Sequence, residues 1–389
     1  MKHAVVFTAM LGITMLAGPA TQTRTLSGAE PSPAVVRVAQ SAGAEFRGSD
    51  ERPILAAMKK LGAAGGTVRI GPGQYLMRRG LKLPGNVTLK GTRQTVLKLA
   101  SPVLVTAPAR QGQDFLAVDD TSELAADTSI EVLPPAGSKT FPGTDTSSHW
   151  VEIRHVEPGK LVLAAQLPHA VPERSRVGYR SNLLFIGGSA KNVTVEGLVL
   201  DGGRKKDIPM PGHCSRCALL AHGIWSYQEG PTAPPIENVR VADCHVRNCY
   251  GRAVAMYSVV RSEVKGCLVE DIDDEGIDLD HFCYHCQVTG NTVRRSHTGV
   301  TINDGSYCTI QGNRVEDCGV GVTMWWWHHC PQKNLNVENV IRDNVITGPK
   351  RVGISLGKKC LRNQIVGNVV QGGIKVAEPD NLVEKNVEK

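Results

Sequence analysis

Residues 288–303 read VTGNTVRRSHTGVTIN, and residues 310–325 read IQGNRVEDCGVGVTMW. The second follows the first by 22 residues and repeats its plan. An apolar residue opens the unit, a Gly-Asn pair follows, and a short apolar–polar alternation comes next. A glycine then starts a second alternation of the kind that strands show. The plan recurs as VADCHVRNC from Val241, VKGCLVEDI from Val264, IRDNVITGP from Ile341 and IVGNVVQGG from Ile365. Successive units start 23, 24, 22, 31 and 24 residues apart, and VEGLVLDGG from Val195 is an earlier, more diverged copy. The second alternations are GIWSY from Gly223, AVAMY from Ala253, GIDLD from Gly276, GVTIN from Gly299, GVTMW from Gly321, GISLG from Gly353 and GIKVA from Gly373. Units of this period, with three short strands, turn residues and no helical spacing, predict a parallel β-helix whose rungs stack one on the next.

The composition agrees. Of 389 residues 41% are hydrophobic, enough for a large core and against wholesale disorder. Glycine is abundant at 41, whereas there are only 6 Phe and 7 Tyr, which favours many turns and small interior side chains. The net charge of +7 is mild, and Lys and Arg are scattered, so no nucleic-acid partner is expected. Asn291, Asn313, Asn344 and Asn368 fall in one column of the repeat, where buried amides can hydrogen-bond from rung to rung. Cys244 and Cys267 fill that column in the preceding rungs. Cys286 and Cys308 share another column, open to a disulfide or to simple stacking.

Residues 1–20 read as a secretory signal: Lys2 and His3, then an apolar run of 13 residues, then small residues. The expected protein is therefore secreted or periplasmic, off the membrane once the signal is removed, and monomeric. Residues 21–46 are expected to be a linker. Residues 50–61, DERPILAAMKKL, have apolar residues at helical spacing and predict a cap over the open end of the solenoid. GGTV from Gly65, GQY from Gly73 and NVTLKG from Asn86 follow. This series resembles the N-terminal end of the pectate-lyase-like superfamily of right-handed parallel β-helices. With the repeats, the resemblance spans residues 50–99 and 192–381. It implies an all-β solenoid, with residues 47–101 as cap and first rungs and 181–389 as the repeat array. Residues 102–180 break the pattern and are expected to form a small β-rich insertion, and residues 204–221 and 228–235 read as loops.

Alternation turns two columns of the second strands outward. One is Trp225, Ala255, Asp278, Thr301, Thr323, Ser355 and Lys375. The other is Tyr227, Tyr257, Asp280, Asn303 and Trp325. Aromatics flanking carboxylates suit a sugar-binding groove. Trp225, Tyr227, Tyr257, Asn303, Trp325 and Trp326 are therefore the expected substrate contacts. The three consecutive Trp at 325–327 belong to an inserted loop at the groove edge. Asp274 and His297 fall on neighbouring rungs, two residues before their strand glycines, with Arg351 further along the same column. An Asp–His pair can orient an imidazole for acid–base work.

DEGIDL from Asp274 resembles a motif of the family 9 pectate lyases, whose carboxylates hold calcium against the substrate uronate. The resemblance implies Asp274, Glu275 and Asp278 as Ca2+ ligands. GIDLDH from Gly276 is similar, less closely, to a groove motif of bacterial mannuronan C5-epimerases. A third alternative uses Asp278 and Asp280 as a glycosidase acid–base pair, with roughly 7 Å between side chains at i and i+2. The expected function is an exported lyase on a uronic-acid-containing polysaccharide, with His297 as base and Arg351 as charge neutraliser. Its catalytic candidates are Asp274, Asp278, Asp280, His297 and Arg351. Hydrolase and epimerase are alternatives on the same groove, and a non-catalytic glycan-binding or surface-structural β-helix is the rival of another class. Crowded carboxylates need a partner, which a cation, His297 or Arg252 from the neighbouring rung can supply.

Overall fold

The computed structural model describes residues 34–135, 148–226, 229–326 and 335–389. The expected signal and the first half of the expected linker lie outside these residues, as do Tyr227 and Trp327. Among the described residues no helix is long and apolar enough to cross a membrane.

Each rung of the solenoid carries three strands, which stack into three parallel faces. On the first face Val195, Val241, Val264, Val288, Ile310, Ile341, Ile365 and Val383 stand in direct register. These are the residues that open the repeat units. On the second face Leu97, Leu200, Val246, Val269, Val293, Val315, Ile346 and Val370 align. The third face runs from Leu81–Leu83 through Leu184–Gly187, Leu219–His222 and Val254–Tyr257 to Ile374–Val376. Small β-branched and aliphatic side chains fill the interior, each on the inward phase of its strand.

Asparagine ladders close two of the turns. Asn291, Asn313, Asn344 and Asn368 each donate a side-chain N–H to the Asn of the next rung at 2.9–3.0 Å, and the ladder ends on Asn386. The first ladder begins on cysteine: Cys267 N–H donates to Asn291 Oδ1 at 2.9 Å. A second ladder, absent from the sequence reading, runs Asn339, Asn363, Asn381, and Cys308 N–H donates to its first member. Its column continues that of Cys286 and Cys308. All the described cysteines are free thiols, so the two columns are stacks and not bridges.

The helix Glu51–Leu61 starts at Asp50, whose carboxylate accepts from the Arg52 N–H, and ends at Gly62 with φ +59°. Ile54, Ala57, Met58 and Leu61 pack onto the first rung. Residues 35–39, expected in a linker, are instead a strand paired with Gly66–Ile70. Their alternation buries Val36 and Val38, which extends the first face by one strand.

Between rungs, six antiparallel strands from Val103–Leu104 to Arg176–Gly178 form a separate sheet with its own core around Leu116, Ile130, Ile153 and Val177. Glu131 of this sheet is buried and ion-paired with buried Arg216 and with Arg180 at 3.1 Å. These two ion pairs tie the sheet to the third face.

The third face departs from the sequence reading at one rung. The strand in register with Val254–Tyr257 is Leu219–His222, opened by Ala218, and not residues 223–227. Part of the expected 204–221 loop is therefore strand. The alternating residues do not join the sheet: Trp225–Ser226 turns off it and pairs antiparallel with Gly230–Pro231. The outward columns become Lys82, Phe185, Leu220, Ala255, Asp278, Thr301, Thr323, Ser355 and Lys375, and beside it His222 and Tyr257, then Asn303 and Trp325.

Candidate active site

Asp278 and Asp280 leave the sheet on its outer side, as the alternation requires, yet they are only 1% and 2% exposed. The segment 211–226 roofs them. Trp225 lies parallel to Tyr257 with ring centroids 6.1 Å apart and crosses His281 at 4.7 Å. His222 stacks on Tyr257 at 5.0 Å. Trp225 thus lies over the carboxylates as part of a roof, although it is not in their column.

Arg252, 4% exposed, enters this space from the neighbouring rung. Its Nε donates to Glu275 Oε2 at 2.7 Å and lies 3.7 Å from Asp274 Oδ2. Its Nη1 stands 3.0 Å from Asp278 Oδ2 and 3.1 Å from Asp280 Oδ2, and also donates to the Tyr257 hydroxyl. Burial alone would disfavour the charged guanidinium, but Asp278, Glu275 and Asp280 outweigh it and hold Arg252 firmly protonated. For Asp278, burial outweighs the help of Arg252, and its pKa is pushed well above the carboxylate range. Asp278 Oδ1, Thr301 Oγ1 and Asn303 Oδ1 are buried and accept no hydrogen bond from the described residues.

Asp274, Glu275 and Asp278, the residues implied for calcium, do not enclose an open position. A guanidinium spans them, and a divalent cation would have to sit against that fixed positive charge. The set does not fit the ion. Nor do Asp278 and Asp280 fit inverting hydrolysis. Two Oδ2 atoms at 3.0 and 3.1 Å from one nitrogen are nearer than the roughly 6.5–9.5 Å such a pair needs.

Asp280 is further held by Asn303 Nδ2 at 2.8 Å and by His281 N–H at 2.8 Å. The His281 ring lies between Asp280, at 3.4 Å, and Asp304 of the next rung, at 2.9 Å. His281 and Asp304 enter a polar network that the repeat pattern did not mark. Both sit where the strand ends and the turn begins, beyond the alternation.

At the edge of the roof the expected Asp274–His297 pair does not form. Asp274 Oδ2 instead takes His213 Nδ1 at 2.9 Å. This bond, with a smaller contribution from Cys214, raises the His213 pKa to about 10. Burial would raise the Asp274 pKa, but the His213 bond leads the effects that bring it down to about 2. Cys214 Sγ lies 3.0 Å from the Tyr257 hydroxyl and 3.5 Å from Arg252 Nη1. Burial raises its pKa, and His213, Arg252 and Tyr257 together bring it below the usual thiol value. His213 and Cys214 come from a Pro- and Gly-rich loop, whose sequence carries no register.

His297 turns to Arg351. Its Nε2 is 3.1 Å from Arg351 Nη2, and both side chains are exposed. Two rungs separate them, with Gly319 between. A Cβ on Gly319 would lie 2.4 Å from the His297 carbonyl oxygen, so only glycine lets the chains pack this closely. Trp325 ends its strand opposite Asn303, and its carbonyl accepts from Asn336 Nδ2 at 2.9 Å. Lys359 Nζ sits over the Trp326 ring, 3.3 Å from its centroid.

Residues 214–339 match the family model of the right-handed β-helix region. The chain is a right-handed parallel β-helix protein. No curated protein matches this β-helix in sequence. Among solved structures it is similar to the A-module of mannuronan C-5 epimerase AlgE6 from Azotobacter vinelandii, with 14% identity and TM-score 0.49 over 88% of this chain and 96% of that one. It is also similar to the GH136 lacto-N-biosidase from Eubacterium ramulus, with 9% identity and TM-score 0.45 over 91% and 67%. These likenesses concern the course of the backbone.

Proposed function

We propose that the β-helix is an exported enzyme that cleaves a uronic-acid-containing polysaccharide by β-elimination. The observation that carries this reading is the exposed pair of His297 and Arg351, a base and a fixed cation 3.1 Å apart on the outer face of the solenoid. Arginine can only donate, so its contact makes Nε2 the acceptor and leaves the proton on Nδ1. A substrate carboxylate that takes the Arg351 N–H groups frees the Nε2 lone pair. Arg351 then withdraws charge from the carboxylate, which acidifies the sugar C5–H. Nε2 takes that proton, the electron pair forms the C4–C5 double bond, and the C4–O bond to the next sugar breaks. The departing oxygen takes up the proton that His297 has gained. No step needs a metal.

Asp278, Thr301 and Asn303 are buried beneath the roof and touch no substrate in this reading. A C5-epimerase would share the first proton transfer and return the proton to the opposite face.

The test is incubation with polyuronates, followed by the absorbance of unsaturated ends and by the C5 configuration of the product. Wild type should give unsaturated ends. His297→Ala should lose at least 10²-fold in kcat, and Arg351→Gln should lose a similar factor in kcat/KM. Altered C5 configuration without chain cleavage would favour epimerisation. Reducing ends without unsaturation would refute elimination, and glycan bound but unchanged across a broad panel would make the groove a binding site alone.

A further inference from the structure

A second cluster lies on the same outer face, toward the N-terminal end. Lys82 occupies the column of Asp278, and the intervening positions are Phe185, Leu220 and Ala255. Rungs lie about 4.8 Å apart, so four steps place Lys82 roughly 19 Å from Asp278. The path between them is apolar. Beside Lys82 is a cavity of about 460 Å³ lined by Lys82, Trp150, Arg180, Ser181, Asn182 and Phe185, among others.

These residues come from separate parts of the fold. Lys82 belongs to an early rung and Phe185 to the next strand of the same face. Trp150 belongs to the antiparallel sheet, where it stands opposite Glu131, and it is 51% exposed. Arg180 is aimed by its 3.1 Å contact with Glu131. Glu131 also carries Arg216, so one buried carboxylate faces two guanidinium groups, and Lys82 adds a further positive charge. Among the described residues no acidic side chain lines the cavity. The remaining polar groups, on Ser181 and Asn182, suit hydroxyls, although both side chains also brace the backbone of neighbouring strands.

We propose that this cavity is a distal subsite that binds a carboxylate-bearing sugar unit of the same polymer. Lys82 and Arg180 meet the carboxylate, and Trp150 stacks on the sugar face. The polymer then runs along the solenoid axis over segment 211–226, whose Cys214, Cys217 and Trp225 cover the buried Leu220 and Ala255. The antiparallel sheet, which plays no part in the rungs, supplies one wall. The proposal rests on the reading of the groove as a polyuronate site and adds a length and charge requirement to it.

The experiment measures direct binding and turnover with the full chain. Polyuronate, its carboxyl-reduced neutral form and uronate oligomers of graded length serve as probes, with Trp fluorescence as the binding signal. Lys82→Ala and Arg180→Ala should each weaken polyuronate binding about tenfold or more, and Trp150→Ala should abolish most of the fluorescence change. The neutral polymer should bind at least tenfold more weakly than polyuronate. Oligomers too short to span both places should be turned over equally by wild type and Lys82→Ala, whereas long polymer should not. Lys82 is exposed, so its loss should leave the melting temperature unchanged and keep the test free of folding effects.

Equal binding of charged and neutral polymer, or no effect of Lys82→Ala on polyuronate, would overturn the subsite. If wild type turns over no polyuronate yet binds it through Lys82 and Arg180, elimination fails and the subsite stands.

Discussion

Arg252 Nη1 stands 3.0 Å from Asp278 Oδ2, in the space that the acidic motif alone would assign to calcium. The two residues lie on adjacent rungs, and the arginine reaches across to serve Glu275, Asp278 and Asp280 together. A buried cation supplied by the chain relieves the same crowding that a bound ion would relieve.

Removing that cation leaves buried carboxylates without a counter-charge. Arg252→Ala should therefore lower stability at pH 7 by about 3–5 kcal/mol, measured by urea unfolding. The deficit should shrink near pH 4 as the carboxyls become protonated. Arg252→Lys should recover only part of it, because one ammonium cannot place donors on both the Glu275 and the Asp278 sides.

Chelation should leave the wild-type melting curve unmoved. The guanidinium already spans Asp274, Glu275 and Asp278, so no ion needs to be lost. A melting temperature that drops in chelator and recovers with calcium would restore the metal site.

Asp278 sets a pH dependence of definite sign. Its folded pKa lies above the unfolded value of about 3.9, because burial penalises the anion. Its contribution is complete below the unfolded pKa and is lost as pH rises toward the folded one. Asp278→Asn should flatten that decline and be more stable than wild type at pH 8, as thermal melts across pH 4–8 can show. His213 acts with the same sign, its contribution fading as pH rises through about 10. Its side chain is 67% exposed, so screening holds this to less than about 1 kcal/mol.

Gly319→Ala tests the His297–Arg351 geometry without touching either side chain. The new Cβ would meet the His297 carbonyl oxygen at 2.4 Å, which forces the rungs apart. The expected cost is about 1–3 kcal/mol in stability, with a larger proportional loss in kcat than the change in KM. Unaltered kcat in a folded variant would detach the pair from the chemistry.

The ladders predict a positional effect. Asn344 accepts from the Asn313 backbone and side chain, donates to Ile310 O and passes two hydrogen bonds to Asn368. Asn344→Ala strands several buried groups and should cost about 3 kcal/mol or more. Asn386, at the ladder's end, has partners on one side and is half-buried. Its alanine variant should cost less than half as much in the same unfolding assay.

What the sequence determined by itself is the solenoid. Rung spacing, inward residues and the first ladder were readable because each depends on periods of two residues and of one rung, and both are written along the chain. Val264, Val288 and Ile310 stand in register because the turns between them have matched lengths. The site edge was only partly readable. Column counting brought Arg351 into line with His297, and the missing side chain at Gly319 let them meet.

Tertiary structure decided what covers the carboxylates, and which of the partners open to the sequence, a cation, His297 or Arg252, charges them. Residues 219–222, LLAH, carry no apolar–polar alternation, and stacking against Val254–Tyr257 makes them the strand in place of 223–227. That choice sent Trp225 over the site. His213 and Cys214 sit in a loop without period, and Arg252 acts through the length of its side chain across rungs. Such contacts depend on where flexible side chains end in space, and no spacing along the chain records that.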